Sequence, residues 1–182
     1  LIASQFPHWA VLPVRAVKDC GWDNHTFRLG EELSIRLPSH RRYAAQVAKE
    51  HRWLPLLSKQ LPLPIPTPIA MGQPSNGYPF HWSIYRWIEG ENTTFNKIRS
   101  IRDYAKTLAQ FLKALHDIDA SHGPIAGDHN FHRGGSLRVY HQETMDTLRQ
   151  LKQDIDHELA AKVWQKGLES AWEETLVWVH GD

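Results

Sequence analysis

An α+β fold is predicted: an antiparallel-sheet lobe with one helix, followed by a helical lobe. Three observations predict it. Residues 11–37 read as short strands joined by turns, residues 43–57 and 101–116 carry apolar stripes at helical spacing, and the character of the chain changes near Gly90. The lobes are expected at 1–88 and 92–182, joined by a connector at 89–91.

The first strands lie around VLPVRAV (Val11–Val17) and HTFRL (His25–Leu29), separated by the turn-rich DCGWDN (Asp19–Asn24). GEE (Gly30–Glu32) makes a tight reversal. LSIRL (Leu33–Leu37) then alternates, with Leu33, Ile35 and Leu37 on one face and Ser34 and Arg36 on the other. Pro38 closes that strand. Tyr43, Val47, Glu50, Leu54 and Leu57 fall on one helix face, and Pro55 predicts that this helix ends or kinks near Leu54. LPLPIPTP (Leu61–Pro68), with proline at alternate positions, must be extended. A loop over Met71–Pro79 leads to FHWSIYRWIEGE (Phe80–Glu91), whose aromatic and β-branched middle reads as a buried strand. Ser100 with Asp103 marks a helix start, and the stripe of Ile101, Tyr104, Ala105, Leu108, Phe111, Leu112 and Leu115 carries it to His116. His122–Gly135 is a loop, Gln142–Glu174 is weakly helical, and LVWV (Leu176–Val179) reads as a short buried β-like run.

Composition is that of a globular chain. Lys+Arg 21 against Asp+Glu 20 leaves a net charge of +1, no electrostatic basis for nucleic acid or an anionic membrane as the main partner. The single cysteine, Cys20, cannot form an internal disulfide, which points to a reducing cytoplasm. No apolar run reaches the roughly 20 residues of a membrane span. The chain opens at Leu1 and closes on Asp182, so both ends are expected to be cut. Nothing in the sequence speaks to oligomeric state.

Three places carry chemistry. Glu50 sits on the apolar stripe of its helix, and a carboxylate aimed at a sheet calls for a cation. Arg36, on the non-aliphatic strand face, is the candidate; paired, its guanidinium could hold a phosphate. The other reading leaves Glu50 at the wet edge of the stripe and Arg36 solvated. The turn CGWDN could lay backbone N–H groups over an anion, or be an ordinary hairpin turn with Asn24 left-handed. Finally, HGD at 180–182 places an aspartate after an apolar run, as a general base for a hydroxyl would be placed, with His180 stiffening the turn.

GWDNHTF, LSIRLP, AKEHRWLPLL, LPLPIPTP, YRWIEGE, LAQFLKALHDID and VHGD follow one another in an order that resembles the aminoglycoside phosphotransferase family, over residues 9–118 and again at 176–182. The resemblance implies a protein-kinase-like fold, here with a partial helical lobe. It also implies transfer of the ATP γ-phosphate to a hydroxyl of a small molecule, nominally an aminoglycoside. Relatives act on choline, homoserine, sugars or macrolides, and a non-catalytic nucleotide-binding module is the alternative. By the same resemblance Gly21, Trp22 and Asn24 belong to the nucleotide-covering turn. Arg36 takes the place of the kinase strand lysine, with Glu50 as its helix partner. Backbone groups around Tyr85, Trp87 and Ile88 meet adenine at the connector. Asp182 orients the substrate hydroxyl, supported by His180. The family's Mg²⁺ ligands, an asparagine five residues on and a further aspartate, are expected beyond residue 182.

Other clusters carry less. Asp128, His129 and His132, near His122, suggest a metal, yet the stretch has no cysteine and twelve histidines cluster by chance. Trp53, Trp82 and Trp87 read as core or lobe interface, Trp164 and Trp172 as helix packing. The 182-residue piece alone is expected not to turn over substrate. Phosphate release from ATP, assayed with this piece and an acceptor panel, should stay at background, and any sustained turnover contradicts the assignment.

Overall fold

Leu29 and Leu33 stand opposite each other across three turn residues, and this short closure fixes the register of the central hairpin. Gly30 opens the turn at φ +60°, a left-handed angle that costs glycine little. The computed structural model describes residues 1–18, 21–91, 93–170 and 173–180. Cys20, Trp172 and Asp182, named above, lie outside them. The chain divides into two compact units, Leu1–Ile118 and Asp119–Asp182.

The first unit is built on a five-stranded antiparallel sheet. Its strands are β1 (Val14–Ala16), β2 (Asn24–Leu29), β3 (Leu33–Pro38), β4 (Pro68–Gly72) and β5 (Trp82–Arg86), in the order β1-β2-β3-β5-β4. Ile35 lies opposite Ile84 and Arg36 opposite Ser83. Strict alternation therefore divides the sheet into two unlike faces. Leu29, Ile35, Trp82 and Ile84 form the buried aliphatic and aromatic core on one face. Ser34, Arg36, Ser83 and Tyr85 share the other.

The aliphatic face is covered by the first twelve residues, the first ten of which carry no element in the sequence reading. Helix α1 (Ile2–Gln5) and a 3-10 turn at Pro7–Trp9 bring Leu1, Ile2, Phe6, Trp9 and Leu12 onto the core. Phe6 meets Trp82 edge-on at 5.6 Å. A reciprocal pair of bonds fastens α1 to the end of β4: Gln5 Nε2 donates to Gln73 O at 3.0 Å, and Gln73 N donates to Gln5 Oε1 at 2.7 Å. Val11 is outside the sheet and exposed, so the strand read at 11–17 shrinks to 14–16.

Helix α2 (Arg41–Leu57) covers the polar face, and its stripe is the expected one: Val47 and Leu57 are buried, Tyr43, Glu50 and Leu54 half-buried. Pro55 does not end it. The proline falls in the last turn, where Ser58 N still reaches Leu54 O at 2.9 Å, and burial of Leu57 carries the helix past the lost amide. Residues 61–67 form neither helix nor strand, but Met71 and Gly72 belong to β4 rather than to the loop. Pro68 is tolerated there because it opens an edge strand. Helix α3 (Ile101–Asp117) starts where the capping pattern placed it, with Ser100 Oγ accepting Asp103 N at 3.2 Å. Only the later half of its stripe is covered: Phe111 and Leu115 are buried, whereas Ile101 is 60% exposed.

In the second unit, α4 (His141–Gln150) and α5 (His157–Glu169) pack through Trp164, whose indole N–H donates to His141 Nδ1 at 2.9 Å. Leu176–Val179 is neither a strand nor buried. No described strand pairs with it, and it is held by side chains instead. Trp178 Nε1 donates to Asp119 O at 3.1 Å, and Val179 lies against Gly134.

Gly72 shows how tightly the first core is packed. A Cβ there would stand 1.9 Å from the indole of Trp82, which is 0% exposed. Gly72→Ala is expected to cost about 2–3 kcal/mol by overpacking. The urea midpoint measures it, and an unchanged midpoint contradicts the packing described.

Candidate active site

On the polar face the site grows from alternate residues of neighbouring strands. Arg36 of β3 and Ser83 of β5 are cross-strand partners, Tyr85 follows two residues after Ser83, and α2 lays Glu50 and His51 over them. Arg36 Nη1 stands 3.7 Å from Glu50 Oε2, with the two side chains 31% and 24% exposed. This settles the choice left open by spacing: the pair exists, and both groups remain within reach of water. At that distance it is an ion contact without a hydrogen-bonded fork. The close bond to Glu50 comes from Tyr85, whose hydroxyl donates to the same Oε2. The Arg36 guanidinium carbon also lies 5.3 Å from the centre of the Tyr85 ring.

One residue further along α2, His51 Nε2 shares a hydrogen bond with Ser83 Oγ at 3.0 Å. Burial holds the His51 pKa below its ordinary 6.5, opposed in part by the Glu50 carboxylate. Tyr85 is 2% exposed. Burial, with the negative charge of Glu50 beside it, pushes its phenol well up, so it stays a protonated donor.

Where β5 runs out, a second cluster forms. Arg28 lies over the Trp87 ring at 4.1 Å and donates to Glu31 O at 2.6 Å and to Glu89 Oε1 at 3.3 Å. The backbone N–H of Trp87 donates to Glu32 O at 2.7 Å, and that of Arg86 to Thr67 O at 3.1 Å. The buried indole N–H of Trp87 finds no acceptor among the described residues. Ile88 follows, partly exposed.

The turn before β2 does not take the left-handed form of its hairpin reading. Asn24 opens β2 opposite Pro38 and is not left-handed. Gly21 has open space where a Cβ would be, so nothing there demands glycine. Trp22 is 93% exposed, and its carbonyl accepts from Ser39 Oγ at 2.5 Å, tying the turn to the end of β3. His180 lies exposed in the second unit. Asp182, expected from the resemblance to orient the hydroxyl, lies outside the described residues.

The roles of Tyr85 and His51 escaped the sequence reading. Their signal was present in the alternation of Ser83 and Tyr85, but assigning it required the β3–β5 register. Elsewhere, a depression of about 340 Å³ is lined by Glu91, Lys97, Ser100 and Tyr104 and includes none of the residues above. In the loop at 122–135, His132 Nε2 pairs with Asp128 Oδ1 at 3.0 Å and His129 Nε2 with Ile125 O at 2.9 Å.

A profile of the phosphotransferase enzyme family matches residues 19–182. The chain belongs to that family. The GDP and kanamycin complex of the aminoglycoside phosphotransferase APH(2")-IIIa superposes with a TM-score of 0.69 at 20% identity, covering 93% of this chain and 58% of that one. Macrolide 2'-phosphotransferase type I gives 0.55 at 19%, over 99% of this chain and 64% of the other. The streptomycin–ATP ternary complex of APH(2")-IIa gives 0.53 at 19%, over 87% and 53%. At such identities the likeness is one of fold, and the α+β, kinase-like architecture expected from the sequence is the one observed. The chain spans under two thirds of the length of each of these structures. No curated protein matches it. Among the described residues no helix is long and apolar enough to cross a membrane.

The lowered pKa of His51 sets a pH dependence. Between that value and 6.5 the unfolded chain binds more protons than the folded one, so stability is lost as pH falls through this window and is flat above it. The urea midpoint should therefore drop more from pH 7.5 to about 5 in wild type than in His51→Gln. Equal slopes in the two proteins contradict the buried, neutral imidazole.

Proposed function

We propose that the protein carrying this chain transfers the γ-phosphate of ATP to a hydroxyl of a small molecule, nominally an aminoglycoside. The observation that carries this is Arg36 held beside Glu50 on a polar, half-open face, in a chain of a phosphotransferase family. A guanidinium there suits phosphate oxygens, being permanently charged and presenting several donors at once. Glu50 keeps it from folding back to solvent. The residues at 1–88 are the nucleotide lobe, 89–91 the connector and 92–182 the helical lobe in this reading.

The acceptor oxygen attacks the γ-phosphorus as the bond to the bridging oxygen breaks and ADP leaves, and the hydroxyl proton passes to Asp182, with His180 steadying its loop. In so loose a transition state, placement and charge neutralisation do most of the work. Arg36 neutralises charge on the phosphates. Gly21, Trp22 and Asn24 cover them, Trp22 supplying an exposed indole at the rim. With the amides of Arg86 and Trp87 already bonded, a base arriving at Tyr85–Ile88 takes its backbone donor from Ile88. The Mg²⁺ ligands of this reading are those expected beyond residue 182, and no step is routed through the metal. The lone Cys20 favours a reducing cytoplasm as the compartment.

Mg·ATP should raise the thermal midpoint of the full protein, and Arg36→Ala should weaken its binding about tenfold or more. Asp182→Ala should bind ATP and fail to transfer phosphate to any acceptor in a panel of aminoglycosides, macrolides, choline, homoserine and sugars. Unaltered ATP affinity in Arg36→Ala removes the phosphate role. ATP binding without transfer to any acceptor by wild type selects the non-catalytic module.

A further inference from the structure

We infer that Tyr85 is a positioning residue for the phosphates of the bound nucleotide, acting through Glu50 and Arg36; this rests on the phosphotransferase reading above. Tyr85 touches both members of the pair. Its hydroxyl donates to Glu50 Oε2, the oxygen that faces Arg36 Nη1 at 3.7 Å, and its ring lies 5.3 Å from the Arg36 guanidinium carbon.

The pair needs such a third party. Arg36 and Glu50 are long, half-exposed side chains whose charges stop short of hydrogen-bond distance, and holding either still costs rotamer entropy. Attraction through partly wet surroundings does not fix their geometry. Tyr85 has two rotatable torsions and is buried in β5, between β3 and β4, so its position is set by the sheet. From that rigid base it fixes where the carboxylate sits, and its ring face offers the guanidinium a weak cation–π seat. The neighbouring bond from Ser83 to His51 pins the next residue of α2 to the same strand. Two consecutive helix residues are thus strapped to alternate residues of β5. Rotation of α2 that would carry Glu50 away from Arg36 breaks both bonds.

The consequence is selective. Loss of the hydroxyl leaves the ring in place and the core filled, but lets the carboxylate and the arginine wander. Binding of the phosphates should suffer, while binding of the base should not.

The test is Tyr85→Phe in the full protein, alone and combined with Glu50→Ala, with Mg·ATP and adenosine affinities measured by calorimetry or competition. Tyr85→Phe should weaken Mg·ATP about tenfold, leave adenosine unchanged, and have no further effect once Glu50 is alanine. Unchanged Mg·ATP affinity in Tyr85→Phe overturns the inference. So does an equal loss for adenosine, or an equal loss in the Glu50→Ala background, since either marks a merely structural role. Should Tyr85→Phe not fold, Glu50→Ala alone decides: it must weaken Mg·ATP while sparing adenosine. Wild type that binds no nucleotide sinks the phosphotransferase reading and this inference together, whereas wild-type binding with an indifferent Tyr85→Phe sinks the inference alone.

Discussion

Arg36 reaches Glu50 because β3 and β5 pair with Ile35 opposite Ile84. Side chains alternate along a strand, so a slip of one residue in β3 would send Arg36 to the side occupied by Leu29 and Trp82 and bring Ile35 under Glu50. Both outcomes place a charge against apolar surface with no partner, which costs several kcal/mol per group. The register and the polar site therefore enforce each other. Six residues from three elements, Ser34, Arg36, Glu50, His51, Ser83 and Tyr85, depend on that single alignment.

The two faces of the sheet are held by different physics. On one, the partly buried Leu1, Ile2, Phe6, Trp9 and Leu12 cover an aromatic and aliphatic core by ordinary apolar burial, each contributing less than the roughly 1.5–3 kcal/mol of a fully buried side chain. On the other, α2 is anchored at Val47 and Leu57, and between them it meets the strands through hydrogen bonds and charge. Apolar contacts are tolerant of rotation, whereas hydrogen bonds are directional. A helix fastened this way presents its carboxylate at a defined point and leaves polar groups near water, as a site for a charged ligand requires. Between the two faces Trp82 and Gly72 interlock, so the strand that carries Ser83 and Tyr85 has little freedom to shift.

Much of this was legible without coordinates. The alternation in LSIRL, the stripe from Tyr43 to Leu57, the buried middle of Phe80–Glu91 and the Ser100 start of α3 all depend on local periodicity and capping, which a sequence carries explicitly. The failures share a cause. Residues 1–10 have no periodic signal, and their order comes from covering the aliphatic face. Pro55 lies inside a helix because burial of Leu57 outweighs a missing amide. Leu176–Val179 has strand composition, but without a partner strand it docks through Trp178 and Val179 onto loop residues.

What the sequence by itself determined is the inventory and its phase: which residues face together along each strand and helix, that Glu50 shares a helix face with Val47 and Leu54, that Arg36 is opposed to the aliphatic side, and that seven ordered motifs belong to one family. What only the tertiary structure decided is which faces meet. Strand register, the covering of the apolar side by the amino terminus, and the choice of Tyr85 as the donor to Glu50 all join residues tens of positions apart. Such pairings are selected by global packing and by the cost of leaving a polar group unpaired, and neither quantity is written in any local stretch of the chain.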